Sequence, residues 1–135
     1  MDLQALDKDL QQIILKKNEL SILDYSSDNY DDIEEQLHDM EDKLLTNYGD
    51  YLEEALYDVH DEFCPDSEVL LPIAYLAKKY IVKGDKYDVD FSQGVYVEMD
   101  DYPQKETKLV FIANPTRILL LIDEETREVV WQAGK

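Results

Sequence analysis

The chain is poor in cysteine, glycine, proline and positive charge, and each scarcity closes off a class of protein. A single cysteine, Cys64, among 135 residues leaves no partner for an internal disulfide and no metal-type thiol spacing. Four glycines supply neither a phosphate-cradling loop nor a nucleophile elbow, and two histidines are the only near-neutral bases. No apolar run approaches the roughly 18 residues a bilayer span needs. The first nine residues are charged throughout and lack the basic and apolar regions of a secretory signal, so the expected location is cytoplasmic.

Positive charge is the largest deficit. Thirteen lysines and arginines face 32 acids, a net charge of −19. The imbalance is local: residues 1 to 68 carry 21 acids and 4 bases, or −17, whereas residues 69 to 135 carry 11 acids and 9 bases, or −2. Such a field repels nucleic acid and anionic lipid and attracts basic protein surfaces, so neither nucleic acid nor membrane is an expected partner.

What is present argues for one folded domain over residues 1–135. A 44% hydrophobic content and ten tyrosines separate the chain from disordered acidic tails. At this length one core suffices.

Apolar periodicity divides the chain into an acidic helical half, 1–84, and a sheet half, 85–135. Leu3, Leu6, Leu10, Ile13 and Leu20 recur at steps of three and four, with Lys17 at the one missing seam position, and predict a helix over 3–23. Asp24 to Asn29 form a turn. Tyr30, Ile33, Leu37, Met40, Leu44 and Tyr48 predict a second helix, which Gly49 ends. Asp50, with Glu53 three residues on, caps a third helix through Leu52, Ala55, Leu56, Val59 and Phe63, stopped by Pro65. Leu70 to Ile81 favour a fourth, with Pro72 in its first turn and Gly84 as its stop; alternatively Tyr80–Val82 is a strand turning at Gly84-Asp85 into Tyr87.

Beyond Lys86 the period becomes two. Tyr87, Val89 and Phe91, then Val95, Val97 and Met99, alternate with polar residues around a Ser92-Gln93-Gly94 hairpin loop. Residues 107–113 and 117–123 are apolar on both faces and belong in the sheet centre, and Arg127 to Gln132 form the last strand. The expected fold is α+β: three to four N-terminal amphipathic helices packed on a C-terminal five-stranded antiparallel meander. Two apolar sheet faces need two covers, which predicts either helices wrapped around the sheet or a homodimer.

No spacing specifies a reaction or a cofactor. Glu35 and His38 form a Glu-x-x-His on one helical face, but a carboxylate-bridged metal pair needs a second copy, and His60, between Asp58 and Glu62, lies off their shared face. Glu35, His38 and His60 are thus the residues of a metal or small-ligand site between helices and sheet, the alternative, enzymatic reading. His60 and Cys64 share a helical face, yet acidic neighbours disfavour a thiolate. A calcium loop starting at Asp28 would place Ile33 where its glycine belongs.

The acids Asp31, Asp32, Glu34, Glu35, Asp39, Glu41 and Asp42 sit on a helix whose seam stays apolar. They form either a solvated face or a docking surface. The functional expectation is a non-enzymatic interaction protein, of adaptor, chaperone-like or antitoxin and immunity type, whose acidic helical face binds a basic protein surface.

Overall fold

A computed structural model describes residues 1–134. Helix α1 (Leu3–Ser21) and helix α2 (Tyr30–Phe63) are followed by a 3-10 turn (Pro72–Tyr75) and six strands: β1 (Ile81–Lys83), β2 (Lys86–Asp88), β3 (Val95–Val97), β4 (Thr107–Ile112), β5 (Arg117–Leu121) and β6 (Arg127–Gln132). The α+β class and the antiparallel sheet hold. Helix number and strand number do not.

The second and third expected helices are one. Gly49 lies inside α2, because the seam that reaches Tyr48 continues in phase at Leu52 and the apolar stripe never breaks. A β-carbon placed on Gly49 meets only the Leu45 side chain, at 3.8 Å, so its backbone is ordinary helix. Asp50 caps nothing. The true N-cap bonds belong to Asp2, whose carboxylate accepts from the backbone N–H groups of Gln4 and Ala5 at the start of α1.

The expected fourth helix is absent as well. Pro72 holds Leu71 extended, and only a single 3-10 turn follows it. Tyrosine hydroxyls then take up backbone groups that a helix would have used: Tyr75 Oη accepts from Leu70 N–H at 3.0 Å, and Tyr80 Oη accepts from Ala77 N–H at 3.0 Å while donating to the Phe111 carbonyl at 2.8 Å. The strand alternative is the one realised. Ile81–Lys83 pairs with Lys86–Asp88 around Gly84, whose φ of 62° suits the tight turn.

That hairpin takes β2 out of the main sheet, which has four strands in the order β3-β4-β5-β6 rather than five. Ser92-Gln93-Gly94 is therefore a crossing and not a hairpin loop. Gly94 has φ 97°, and a β-carbon there would stand 2.8 Å from the Leu109 carbonyl oxygen. Only glycine lets the chain pass that close to β4.

Both faces of the central strands β4 and β5 are buried within one chain, while Val129 of β6 and Tyr96 of β3 stay exposed. Phe111, on one face, meets Tyr75 and Trp131 edge-on, and Trp131 in turn meets Tyr51 of α2. The opposite face, with Val110 and Leu119 buried, lies under the stretch from Asp85 to Phe91. Three long bonds fix that cover: Lys108 Nζ to the Phe91 carbonyl at 3.1 Å, Arg127 Nη2 to the Val89 carbonyl at 3.1 Å, and Asn114 Nδ2 to the Asp85 carbonyl at 2.6 Å. Burial of β4 and β5 is thus complete without a second copy of the chain.

The helices form an antiparallel hairpin. Leu6, Leu10, Ile13 and Ile14 of α1 pack against Leu37, Leu44 and Leu52 of α2, and each such side chain contributes about 1.5–3 kcal/mol on burial. Asp7 ties the hairpin to the sheet, since its Oδ1 accepts from Asn114 N–H and Thr116 Oγ1, both at 2.9 Å. Among the described residues no helix is long and apolar enough to cross a membrane.

Candidate functional site

At 34 residues α2 is about 50 Å long, and α1, at 19, covers only part of it. The buried stripe of α2 advances more often by four residues than by three, so it drifts around the axis. Its N-terminal part, Ile33, Leu37 and Leu44, faces α1, and its C-terminal part, Leu56, Val59 and His60, faces the 3-10 turn and the sheet. The exposed face opposite drifts with it.

That exposed face is acidic toward both ends, with Lys43, Thr46 and Asn47 exposed between Asp42 and Asp50. Helix α2 carries 13 acids and a single lysine, Lys43. Asp31, Asp32, Glu35, Asp39 and Asp42 are exposed, at spacings that keep them on one winding ridge. Two of the seven expected residues differ: Glu34 is half-buried, and Glu41 turns inward, its carboxylate 3.7 Å from the Lys17 ammonium with both side chains largely covered. Burial pulls the Lys17 pKa down and the Glu41 charge opposes that shift. Glu41 thus answers the lysine that occupies the α1 seam, and its first role is structural.

The ridge also extends further than the sequence reading placed it. Asp50, Glu54, Asp58 and Asp61 are exposed and continue it, with Tyr57, half exposed, among them. They belong to the same ridge because α2 runs unbroken through Gly49. The signal was available in the step of four from Tyr48 to Leu52.

Like charges four apart on a helix destabilise it by about 0.2–0.5 kcal/mol per pair, and Asp31–Glu35, Glu35–Asp39, Asp50–Glu54 and Glu54–Asp58 are all such pairs. Asp31 and Asp32 gain from the helix dipole, whereas Asp61 and Glu62 lie at the end where it opposes them. Added salt screens this repulsion over a Debye length of about 8 Å at physiological ionic strength. The expected result is a melting temperature that rises between low salt and about 0.3 M sodium chloride, checked by circular dichroism.

The residues of the enzymatic reading are not brought together. Glu35 and His38 are exposed near the start of α2, and His60 is buried 22 residues beyond His38, about 33 Å along the helix. Among the described residues no three His, Cys, Asp or Glu side chains cluster as a metal site.

His60 belongs to a closed hydrogen-bond chain. Its Nδ1 lies 3.0 Å from the Ser67 carbonyl and its Nε2 2.9 Å from Tyr75 Oη, which accepts from Leu70 N–H. The carbonyl can only accept, so Nδ1 carries the proton and Nε2 accepts from the phenol. Every group is satisfied, and His60, Tyr75 and Cys64 are all within 2% of full burial. None of these three side chains is open to solvent.

Cys64 follows the same logic. Burial pushes its thiol up to about 11, so the native state holds it neutral. A raised thiol pKa favours folding below the unfolded value near 9, and that contribution is lost as pH rises toward 11. Ellman's reagent at pH 8 is expected to leave Cys64 unmodified in the folded protein and to react at once in denaturant.

Comparison with protein-family models, curated proteins and solved structures finds no match to this chain.

Proposed function

We propose that this chain is a non-enzymatic protein-interaction module, of adaptor, chaperone-like or antitoxin and immunity type, that docks a basic protein surface on the outward face of α2. The observation that supports the reading is the ridge itself: like charges gather in two runs on one long helix, Asp31 to Asp42 and Asp50 to Asp61, although they weaken it, while apolar residues keep the opposite face. A sequence selected only for solubility could intersperse cations at no structural expense. Tyr57 adds an aromatic anchor within the ridge, the residue type that concentrates binding energy at interfaces.

Charge steers such an encounter over distance, and the aromatic anchor slows its dissociation. The test compares affinity capture by the wild-type chain with capture by a variant carrying Asp31→Lys, Glu35→Lys, Asp39→Lys and Asp42→Lys. Glu41 is left intact because it holds Lys17. A basic protein captured by the wild type, then purified, is expected to lose about 100-fold or more in affinity toward the variant and to bind the wild type less tightly at high salt. Equal affinity for both forms at every salt concentration overturns the reading.

A further inference from the structure

The chain's acidity gives way locally at a cleft of about 520 Å³ where the end of α1, the first turns of α2 and the bend leading into β1 meet. That volume is in the range of small-molecule sites. Its charged lining is entirely lysine: Lys17, Lys78 and Lys79. In a chain with 32 acids and 13 bases, Lys78 and Lys79 have no ion-pair partner among the described residues. Lys17 has one, Glu41, at the long distance of 3.7 Å.

The lysines are held on a built support. The side-chain amide of Asn18 grips the backbone of Tyr80 with both ends, Nδ2 donating to its carbonyl at 3.0 Å and Oδ1 accepting from its N–H at 2.7 Å. Lys78 N–H donates to Gln93 Oε1 at 2.9 Å. The Tyr80 ring is buried, with its hydroxyl bonded to Ala77 and Phe111. The bend bearing Lys78 and Lys79 is therefore fixed against α1 and the core, and both lysines are exposed.

The other wall is aromatic and apolar. Tyr25 and Tyr30 pack with ring centroids 4.9 Å apart, and Tyr25 is 88% exposed although it is anchored by that contact. Leu20 and Leu37 form the floor. An exposed ring pinned beside unpaired cations offers a stacking surface and an anion seat at once.

We propose that this cleft binds a small organic anion: a phosphate or carboxylate on Lys78 and Lys79, with Lys17 at greater depth, joined to a flat apolar body that lies on Tyr25 and Tyr30. The cleft borders the start of the acidic ridge, where Tyr30 stands beside Asp31 and Glu34, but none of its lining residues is a ridge acid.

Phenyl phosphate, inorganic phosphate and phenol test the two halves of the site, read by backbone amide shifts of the full chain. Phenyl phosphate is expected to shift residues 21–25, 78–79 and 93 saturably, and to bind at least 10-fold more tightly than either phosphate or phenol. Lys78→Gln with Lys79→Gln is expected to weaken it at least 10-fold, as is Tyr25→Ala. All three positions are exposed, so circular dichroism should show unchanged folding. Absence of saturable shifts at about 10 mM phenyl phosphate, or equal binding by the lysine variant, overturns the proposal. Equal affinity for phosphate alone overturns the aromatic half, and shifts confined to other surfaces overturn the location.

Discussion

Replacing His60 with alanine is expected to lower folding stability by about 3 kcal/mol, whereas the same change at His38 should stay within about 0.5 kcal/mol. Both histidines sit in the same acidic helix, although His60 follows Leu56 by four residues and so shares its side of the helix. They differ in what packs on them. His60 is 2% exposed, and its loss leaves the Ser67 carbonyl without its donor and the Tyr75 hydroxyl without its acceptor, beside a cavity the size of an imidazole. Unfolding in urea measures both variants. A shift below about 1 kcal/mol for His60→Ala would show that the chain from Ser67 to Leu70 is not a structural joint.

Proline at position 49 carries the second large effect, and alanine there carries the opposite sign. Within a continuous helix Gly49→Pro removes the N–H and sets the ring against the preceding turn, at about 3 kcal/mol or more. Gly49→Ala removes backbone freedom from the unfolded chain and adds a β-carbon with ordinary contacts, stabilising by about 0.5–1 kcal/mol. Two helices meeting at a left-handed Gly49 would reverse the pattern: alanine would be strained and proline nearby tolerated. Calorimetry on the pair decides between them.

Gly49 also shows where the sequence could be read and where it could not. Glycine before aspartate is the local mark of a helix end, but the phase of the stripe across it, Leu44 to Tyr48 to Leu52, is a longer-range signal and the stronger one. Local chemistry misled again at Ser92-Gln93-Gly94, where the Gly94 conformation serves a close passage by Leu109 rather than a hairpin. Strands β4 and β5 were legible because Leu109 to Ile112 and Ile118 to Ile122 admit no solvent face. What covers them was not, because the hairpin carrying Tyr87 has the alternation of a half-exposed strand whether it extends the sheet or folds over it.

The acidic face was visible in composition, yet its members could be sorted only by packing. Lys17 in the α1 seam was the clue that one acid on the neighbouring helix had to turn inward, and Glu41 is that acid. Asp50, Glu54, Asp58 and Asp61 joined the ridge only once α2 was continuous. The cleft of Lys17, Lys78 and Lys79 had no sequence signature, since its lysines come from segments about 60 residues apart and meet through the Asn18–Tyr80 clamp.

The most direct measurement of the central claim is a map of the contact surface: amide chemical shifts of the labelled chain titrated with the purified basic protein that it captures. The account predicts perturbations along the exposed ridge of α2 from Asp31 to Asp42, continuing through Tyr57, and fading as salt is raised. Perturbations confined to the β3 or β6 edge of the sheet, with the ridge unmoved, would contradict it.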